Sequence, residues 1–350
     1  MELSVTMNDF WKEKKVLITG HSGFKGSWLS MVLLYLGAEV YGVSDRKKRG
    51  IYSELDLGNL IQKEMFLSIT SDYVELDQFV NQIKPDIIFH FAAQSLVPHA
   101  FKEPRETLET NIIGTFNILD ISNRTENVNS LIISTTDKVY KSPELWNKEE
   151  DDIGGREFYS TSKVAAELVI KDFKNLYARE NLAITILRSG NVIGGGDRGE
   201  NRLLTDLLYS VVNKSPMLIR SPRGIRPWQD ILDSISGYIK AAEYTHINNM
   251  SEIFNLNSKP NNKYDVENLI KMYLTIWATD IDLVIDRDNQ IYESEILRLD
   301  SSKAQKLLNW NPKIDIEKSL KKIVSWEKSS LNKNSILETK KQIEDYFTND

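Results

Sequence analysis

The stretch Thr135–Lys138 closes an apolar run, Leu131–Ile133, with two hydroxyls, a carboxylate and an amine. A core strand that stops on Thr136, Asp137 and Lys138 puts a hydroxyl, an acid and a base at one point. In open α/β sheets such C-terminal strand ends face the ligand crevice. Further along, Tyr159 and Lys163 stand four apart in YSTSK, a spacing that places both on one face of a helix. A lysine cation beside a phenol favours the phenolate and lowers the tyrosine pKa, which makes Tyr159 a usable base near neutral pH. Thr136 is placed to share a substrate proton with it. Read singly, each feature is also consistent with a solvated strand end or a helix surface.

A second constellation lies near the start. KKVLITG (14–20) reads as a strand that runs into GHSGFKG, with Gly20, Gly23 and Gly26 three apart before a helix. Glycine lets the turn tighten and the backbone approach a pyrophosphate, and the helix N-terminus adds free N–H groups and positive potential. The next strand ends on Asp45, an acid placed to accept from adenine-ribose hydroxyls, which favours NAD. Arg46 and Lys47 follow directly and suit a 2′-phosphate, so NADP is the alternative. With NAD bound there, Lys163 can also hydrogen-bond the nicotinamide ribose.

The elements that must hold these groups alternate. Helices are expected at 27–36, 72–83, 104–122 and 159–180, and strands at 14–20, 38–45, 85–93, 129–136 and 182–188. Strict β/α alternation with apolar strands implies a Rossmann-type, doubly wound parallel sheet covered on both faces, an α/β fold. In the 159–180 helix, Val164, Leu168, Val169, Phe173, Leu176 and Tyr177 form the expected apolar stripe. The second half reads as less regular, with loop signals at 194–200, 221–227 and 257–263. The division expected is an NAD-binding domain from 8–190 and 230–256, a smaller α/β domain from 191–229 and 257–330, and a C-terminal helical tail over 331–350.

The bulk numbers set limits. The 350 residues are 41% hydrophobic and 27% charged, with net charge −6. That balance suits a globular protein and argues against a nucleic-acid partner, the short basic run at Arg46–Arg49 notwithstanding. There is no cysteine, so thiolate catalysis and disulfides are excluded. The four histidines (His21, His90, His99 and His246) have no metal-binding helical spacing, so no metal is expected. The N-terminal stretch has no apolar region typical of a signal peptide, and the run at 28–37 is too short to span a bilayer. A cytoplasmic protein without membrane association is expected.

Gly20–Gly26, Thr136, Tyr159 and Lys163, in this order, resemble the extended short-chain dehydrogenase/reductase family. Asn111 in TNIIGT resembles that family's fourth polar member, which kinks a helix or holds a water. The finer motifs GHSGFKGSWLS, FHFAAQSLV, TTDKVY, YSTSK, SGNVIGGGD, RPWQD and LDSSKA together resemble its CDP-glucose 4,6-dehydratase branch, over most of residues 8–328. The resemblance implies NAD as cofactor, with Phe24 and Ala92 joining the glycines in holding it. It implies a nucleotide-sugar substrate, CDP-glucose favoured, contacted by Gln94, Asn191, Arg202 and Arg226; Glu293 in IYES resembles a further site glutamate.

The implied reaction oxidises C4 of the hexose, which acidifies the C5 proton, and then removes water across C5 and C6. Tyr159 would take the 4-hydroxyl proton, and Asp137 would protonate the departing 6-hydroxyl. Lys138 would either remove the C5 proton or, staying charged, stabilise the enolate. The family's dimers pack the helix pair corresponding to 104–122 and 159–180 into a four-helix interface, so a homodimer is expected. The chain departs from the pattern at Asp230, where a His usually follows RPWQ, at Arg198, where a Trp usually follows GGGD, and at SITSD (68–72), where only Asp72 survives of an adenine-reading motif. A 4-epimerase or 4-reductase of the same family, and a non-catalytic NAD-binding regulator, are the alternatives.

Overall fold

The computed structural model describes residues 7–46, 50–258, 264–285 and 297–348. Its centre is a seven-stranded, wholly parallel sheet. The strands are β1 (Lys15–Thr19), β2 (Glu39–Ser44), β3 (Lys63–Phe66), β4 (Ile87–His90), β5 (Ser130–Thr136), β6 (Ala183–Ser189) and β7 (Ile253–Leu256). Their order is β7-β6-β5-β4-β1-β2-β3. The order reverses between β4 and β1, so a crevice opens where the C-terminal ends of these two strands diverge. This is the α/β fold expected from the alternation. Its inner strands, such as Ile87–His90, are buried at every residue, because helices cover both faces.

The strands expected from the sequence are present to within a few residues. β3 escaped notice because its four residues, KEMF, are half-exposed on the sheet edge. The second half is more regular than it reads. It holds the helices Leu203–Asn213, Ile231–Asn248, Val266–Trp277 and Ile316–Leu331. Ile231–Asn248 is buried on nearly all sides, so it has no polar face to reveal a helical period. The terminal helix, Ser335–Phe347, tucks Ile343 and Tyr346 into the same core as Trp28, Tyr238 and Trp326.

The apolar stripe of the helix over Phe158–Leu176 is split: Phe173 is buried against the sheet, whereas Leu168 is 50% exposed, and Leu176 and the following Tyr177 are each 72% exposed. The face that meets the sheet carries Tyr159, Lys163, Ala166, Glu167, Ile170 and Phe173. Lys163 and Glu167 occupy positions that a purely structural helix would fill with apolar residues. The remaining hydrophobicity therefore lies on the opposite side.

Candidate active site

The glycine turn is shaped by close approach. Gly20 has φ +78, and a Cβ there would fall 2.7 Å from the backbone nitrogen of Ala92. A Cβ on Gly26 would fall 2.2 Å from the Gly20 carbonyl oxygen. Gly23 begins the helix Phe24–Tyr35 with no side-chain cap, so its first N–H groups stay open toward the crevice. Ser22 Oγ donates to the Arg46 carbonyl at 2.8 Å, which ties the turn to the end of β2. His21 fills the space above Gly42 and bonds Glu64 at 2.8 Å. Gly20, Gly23, Phe24, Asp45 and Ala92 all line one cavity of about 890 Å³. An uncapped helix end, a cradle that any Cβ would fill and an acid at the tip of β2 together fit a dinucleotide. Lys47 and Glu293 lie outside the described residues. Asp72 turns from the cavity and accepts from Ser68 N–H at 2.8 Å, bracing its own loop.

The catalytic candidates meet at the ends of β5 and the Phe158–Leu176 helix. Thr136, Asp137 and Tyr159 are buried, and Lys138 is half-buried with its ammonium free of ion pairs among the described residues. Thr136 Oγ1 donates to Asp137 Oδ1 at 3.0 Å and accepts from Lys138 N–H at 3.3 Å. Asp137 Oδ2 is buried with no partner among the described residues. Lys163 Nζ donates to the Ser134 carbonyl at 3.2 Å. The expected effect of Lys163 on Tyr159 is not what dominates here. Burial pushes the phenol up, Asp137 and Glu157 add to that, and Thr136 and Arg202 work against it. Lys163 itself is lowered to about 8 by burial and by the Lys25 ammonium, with Glu167 opposing.

Asn111 sits in a π-helical turn, Glu109–Ile113, set into the helix that begins at Pro104. It is buried, accepts from Gln94 N–H at 2.9 Å, and donates to the Gln94 carbonyl at 2.9 Å and to Ser162 Oγ at 2.8 Å. It therefore clamps the loop after β4 to the helix that carries Tyr159. Gln94 lines the cavity, but its side-chain amide donates to Leu96 O at 3.1 Å and Thr107 Oγ1 at 2.8 Å, so it is already engaged within its loop.

On the opposite wall, Asn191, Arg202 and Arg226 line the same cavity. Arg202 pairs with Asp197 at 2.7 Å and reaches Ser95 Oγ at 3.4 Å. Two of the departures are structural. Arg198 pairs with Glu327 at 2.7 Å and Glu54 at 3.0 Å, joining the GGGD loop to two helices. Asp230 is buried, caps Leu232 N–H at 2.9 Å and accepts from Ser319 Oγ at 2.7 Å.

Sequence reasoning passed over Lys25 and the buried pair Glu167–Arg188. Lys25 Nζ donates to Ser189 Oγ at 2.7 Å and lies over the Tyr238 ring. Burial and Arg202 lower it to about 8, with Asp137 opposing. Arg188 forks onto Glu167, which in turn accepts from Thr135 Oγ1 at 2.7 Å beneath the catalytic strand end. Lys25 stood within the quoted FKG motif, and its signal was a cation inside a phosphate-binding turn.

The sequence model of the family described as GDP-mannose 4,6 dehydratase matches residues 17–323. The chain belongs to that family. Within it, the chain is 35% identical to the CDP-glucose 4,6-dehydratase of Salmonella typhimurium, over 97% of this chain and 98% of that protein. It is 27% identical to UDP-glucuronic acid decarboxylase 1 of Danio rerio, over 89% of this chain and 72% of that one. The fold of this dehydratase-family chain matches two solved structures. One is UDP-glucuronic acid 4-epimerase from Bacillus cereus in complex with UDP-glucuronic acid and NAD (TM-score 0.80, 22% identity, 90% of this chain, 99% of that one). The other is UDP-glucose 4-epimerase from Thermotoga maritima with UDP-glucose (TM-score 0.77, 24% identity, 90% and 99%). Among the described residues no helix is long and apolar enough to cross a membrane.

Proposed function

We propose that the protein is an NAD-dependent nucleotide-sugar 4,6-dehydratase that converts CDP-D-glucose to CDP-4-dehydro-6-deoxy-D-glucose. The observation that carries this reading is Asp137 beside Lys138. A carboxyl with one oxygen unpartnered among the described residues and the half-buried side chain of Lys138 stand next to Thr136 and Tyr159. Epimerisation at C4 needs only a base and a hydride acceptor, whereas elimination across C5 and C6 needs a further acid and base. The relative at 35% identity directs the choice of nucleotide to CDP.

NAD, which Gly20, Gly23, Phe24 and Asp45 would hold, would supply the hydride acceptor and donor for this chemistry. The chain supplies the rest. Thr136 polarises O4, and Tyr159 takes its proton. Lys163, anchored on the Ser134 carbonyl, would hold the cofactor's ribose. The C5 proton, made acidic by the 4-ketone, is removed on the Lys138 side, either by the amine itself or with the ammonium stabilising the enolate. Asp137 protonates the departing 6-hydroxyl. Arg202 and Arg226 offer planar forks to the diphosphate, with Asn191 between them.

A homodimer belongs to the same reading. Phe101, Ile113, Phe116, Leu168, Leu176 and Tyr177 are exposed, and all but Phe101 lie on the 104–124 and 158–177 stretches that pair in family dimers. The same reading divides the chain into a cofactor domain (8–190, 230–256) and a nucleotide-sugar domain (191–229, 257–330). A cytoplasmic setting is where a nucleotide sugar and NAD meet.

A thermal-shift panel of CDP, dTDP, GDP and UDP sugars tests the substrate, since a ligand of the native state raises its melting temperature. CDP-glucose should give the largest shift, and turnover should yield an alkali-induced 4-keto absorbance with loss of the C6 oxygen. A larger shift with GDP or UDP sugars overturns the base, and a C4 epimer with C6 intact overturns the reaction.

A further inference from the structure

A nucleotide sugar is a linear ligand that runs from hexose through diphosphate and ribose to the base. Thr136, Asp137 and Tyr159 line the cavity where the hexose reacts, and Arg202 and Arg226 line it where the diphosphate finds its counter-charge. Arg202 immediately precedes the Leu203–Asn213 helix, and Asp206 follows four residues later. That spacing puts Asp206 on the same helix face, about 6 Å further along. Asp206 also lines the cavity, as do Met217, Leu218 and Ile219 of the short strand Met217–Ile219 and Arg220 at its end. With the hexose at Tyr159 and the phosphates at Arg202, the base is carried toward Asp206 and Arg220.

These two side chains form an open pair. Asp206 Oδ2 and Arg220 Nη2 are 3.9 Å apart, too far for a hydrogen bond. Arg220 Nη2 instead donates to the Asn201 carbonyl at 3.0 Å, which fixes the guanidinium in place. The Asp206 carboxylate accepts no hydrogen bond among the described residues. Both side chains are half-buried. A charged acceptor and a charged donor thus stand side by side on the cavity wall, neither satisfied by the other. Leu218, 57% exposed on the same wall, offers an apolar face to a flat ring.

The pyrimidines differ at the edge that such a pair would meet. Cytosine carries an amino donor at N4 beside an acceptor at N3, whereas uracil and thymine carry an acceptor at O4 beside an N3–H donor. Asp206 can accept from the N4 amine while Arg220 donates to N3. A uracil in the same place sets acceptor against acceptor and donor against donor, and leaves both desolvated groups unpaired. We propose that Asp206 and Arg220 read the base, selecting cytosine over uracil and thymine. This rests on the CDP-sugar reading above and adds the residues that enforce its choice of nucleotide.

Isothermal titration of the NAD-loaded protein with CDP and with UDP, which carry no sugar to react, measures the choice. The wild type should bind CDP about 10–100-fold more tightly than UDP. Asp206→Asn should cut that ratio by about 10-fold, because a carboxamide can turn its amino group to the uracil O4. Arg220→Gln should cut it similarly from the other side, its side-chain carbonyl accepting from the uracil N3–H. A change in attraction for the diphosphate moves both ligands together and drops out of the ratio, as does a general loosening of the site. A preference for CDP that survives either substitution overturns the assignment to this pair and leaves the CDP-sugar reading standing. A wild type that binds UDP as tightly as CDP overturns the cytidine reading, and the assignment with it.

Discussion

Lys25 Nζ lies 2.7 Å from Ser189 Oγ, so a cation from the cofactor turn ends at the tip of β6 beside the catalytic strand. Its charge is felt by Lys163, whose pKa is lowered to about 8 by burial first and Lys25 second. On the proposed reading a charged Lys163 would hold the cofactor ribose, so activity should fall as pH rises through about 8. Removing a neighbouring cation raises a lysine pKa. Lys25→Met should therefore move the alkaline limb of kcat/KM to higher pH, and Lys25→Arg should leave it near its original place. An unmoved limb in Lys25→Met would show that the two amines are uncoupled.

The two halves of the reaction should separate at TTDK. Tyr159→Phe removes the base for C4 oxidation and should abolish every later event, including transient reduced-cofactor absorbance. Lys138→Ala leaves Thr136, Tyr159 and Lys163 in place. It should accumulate a 4-keto hexose and lose about 10²–10⁴-fold in deuterium wash-in at C5. Asp137→Asn should keep more of the C5 exchange while failing to expel the 6-hydroxyl. Wild-type exchange in Lys138→Ala would remove that residue from the role of base.

The exposed apolar residues predict the assembly. Light scattering at micromolar concentration should give twice the 40.3 kDa chain mass. Leu168→Glu, at a position 50% exposed in the single chain, should yield a folded monomer. A wild-type mass near that of one chain refutes the dimer.

Arg198→Ala should lower stability, because Glu327 is buried and already raised by burial, with Arg198 holding it down. Leaving that carboxylate without its partner costs about 1–3 kcal/mol. Its folded pKa then rises further above the unfolded value, so the folded variant binds the extra proton and the deficit grows as pH rises. Melting temperatures at pH 5 and pH 8 check the sign. An equal loss at both values would show that Glu327 is neutral throughout.

Much of the site was legible because strand ends, glycine turns and Tyr/Lys spacing are local patterns. The alternation that marks β1, β2, β4, β5 and β6 survives in any single sequence. What stayed hidden was set by packing. The Ile231–Asn248 helix is buried all round and shows no amphipathic period. The 159–180 stripe leaves Leu168, Leu176 and Tyr177 exposed, because Lys163 and Glu167 take sheet-facing positions, and spacing alone does not show that division. Arg198 and Asp230 read as departures from a binding pattern, and only their partners Glu327, Glu54 and Ser319, far away along the chain, reveal them as ties between elements. Lys25 stays hidden in the sequence because its target, Ser189, lies 164 residues away.

The π turn at Glu109–Ile113 makes the register of this helix an adjustable part. One surplus residue is accommodated there, and every side chain beyond it is rotated relative to a straight helix by about one residue's step, roughly 100°. Deleting a single residue within the turn would let the helix heal into ordinary α-geometry, and with it gain local regularity. The same repair would swing Asn111 off Ser162 and Gln94. The fault in the helix is thus the point at which a length change too small to disturb the fold would unfasten the cofactor wall from the catalytic helix.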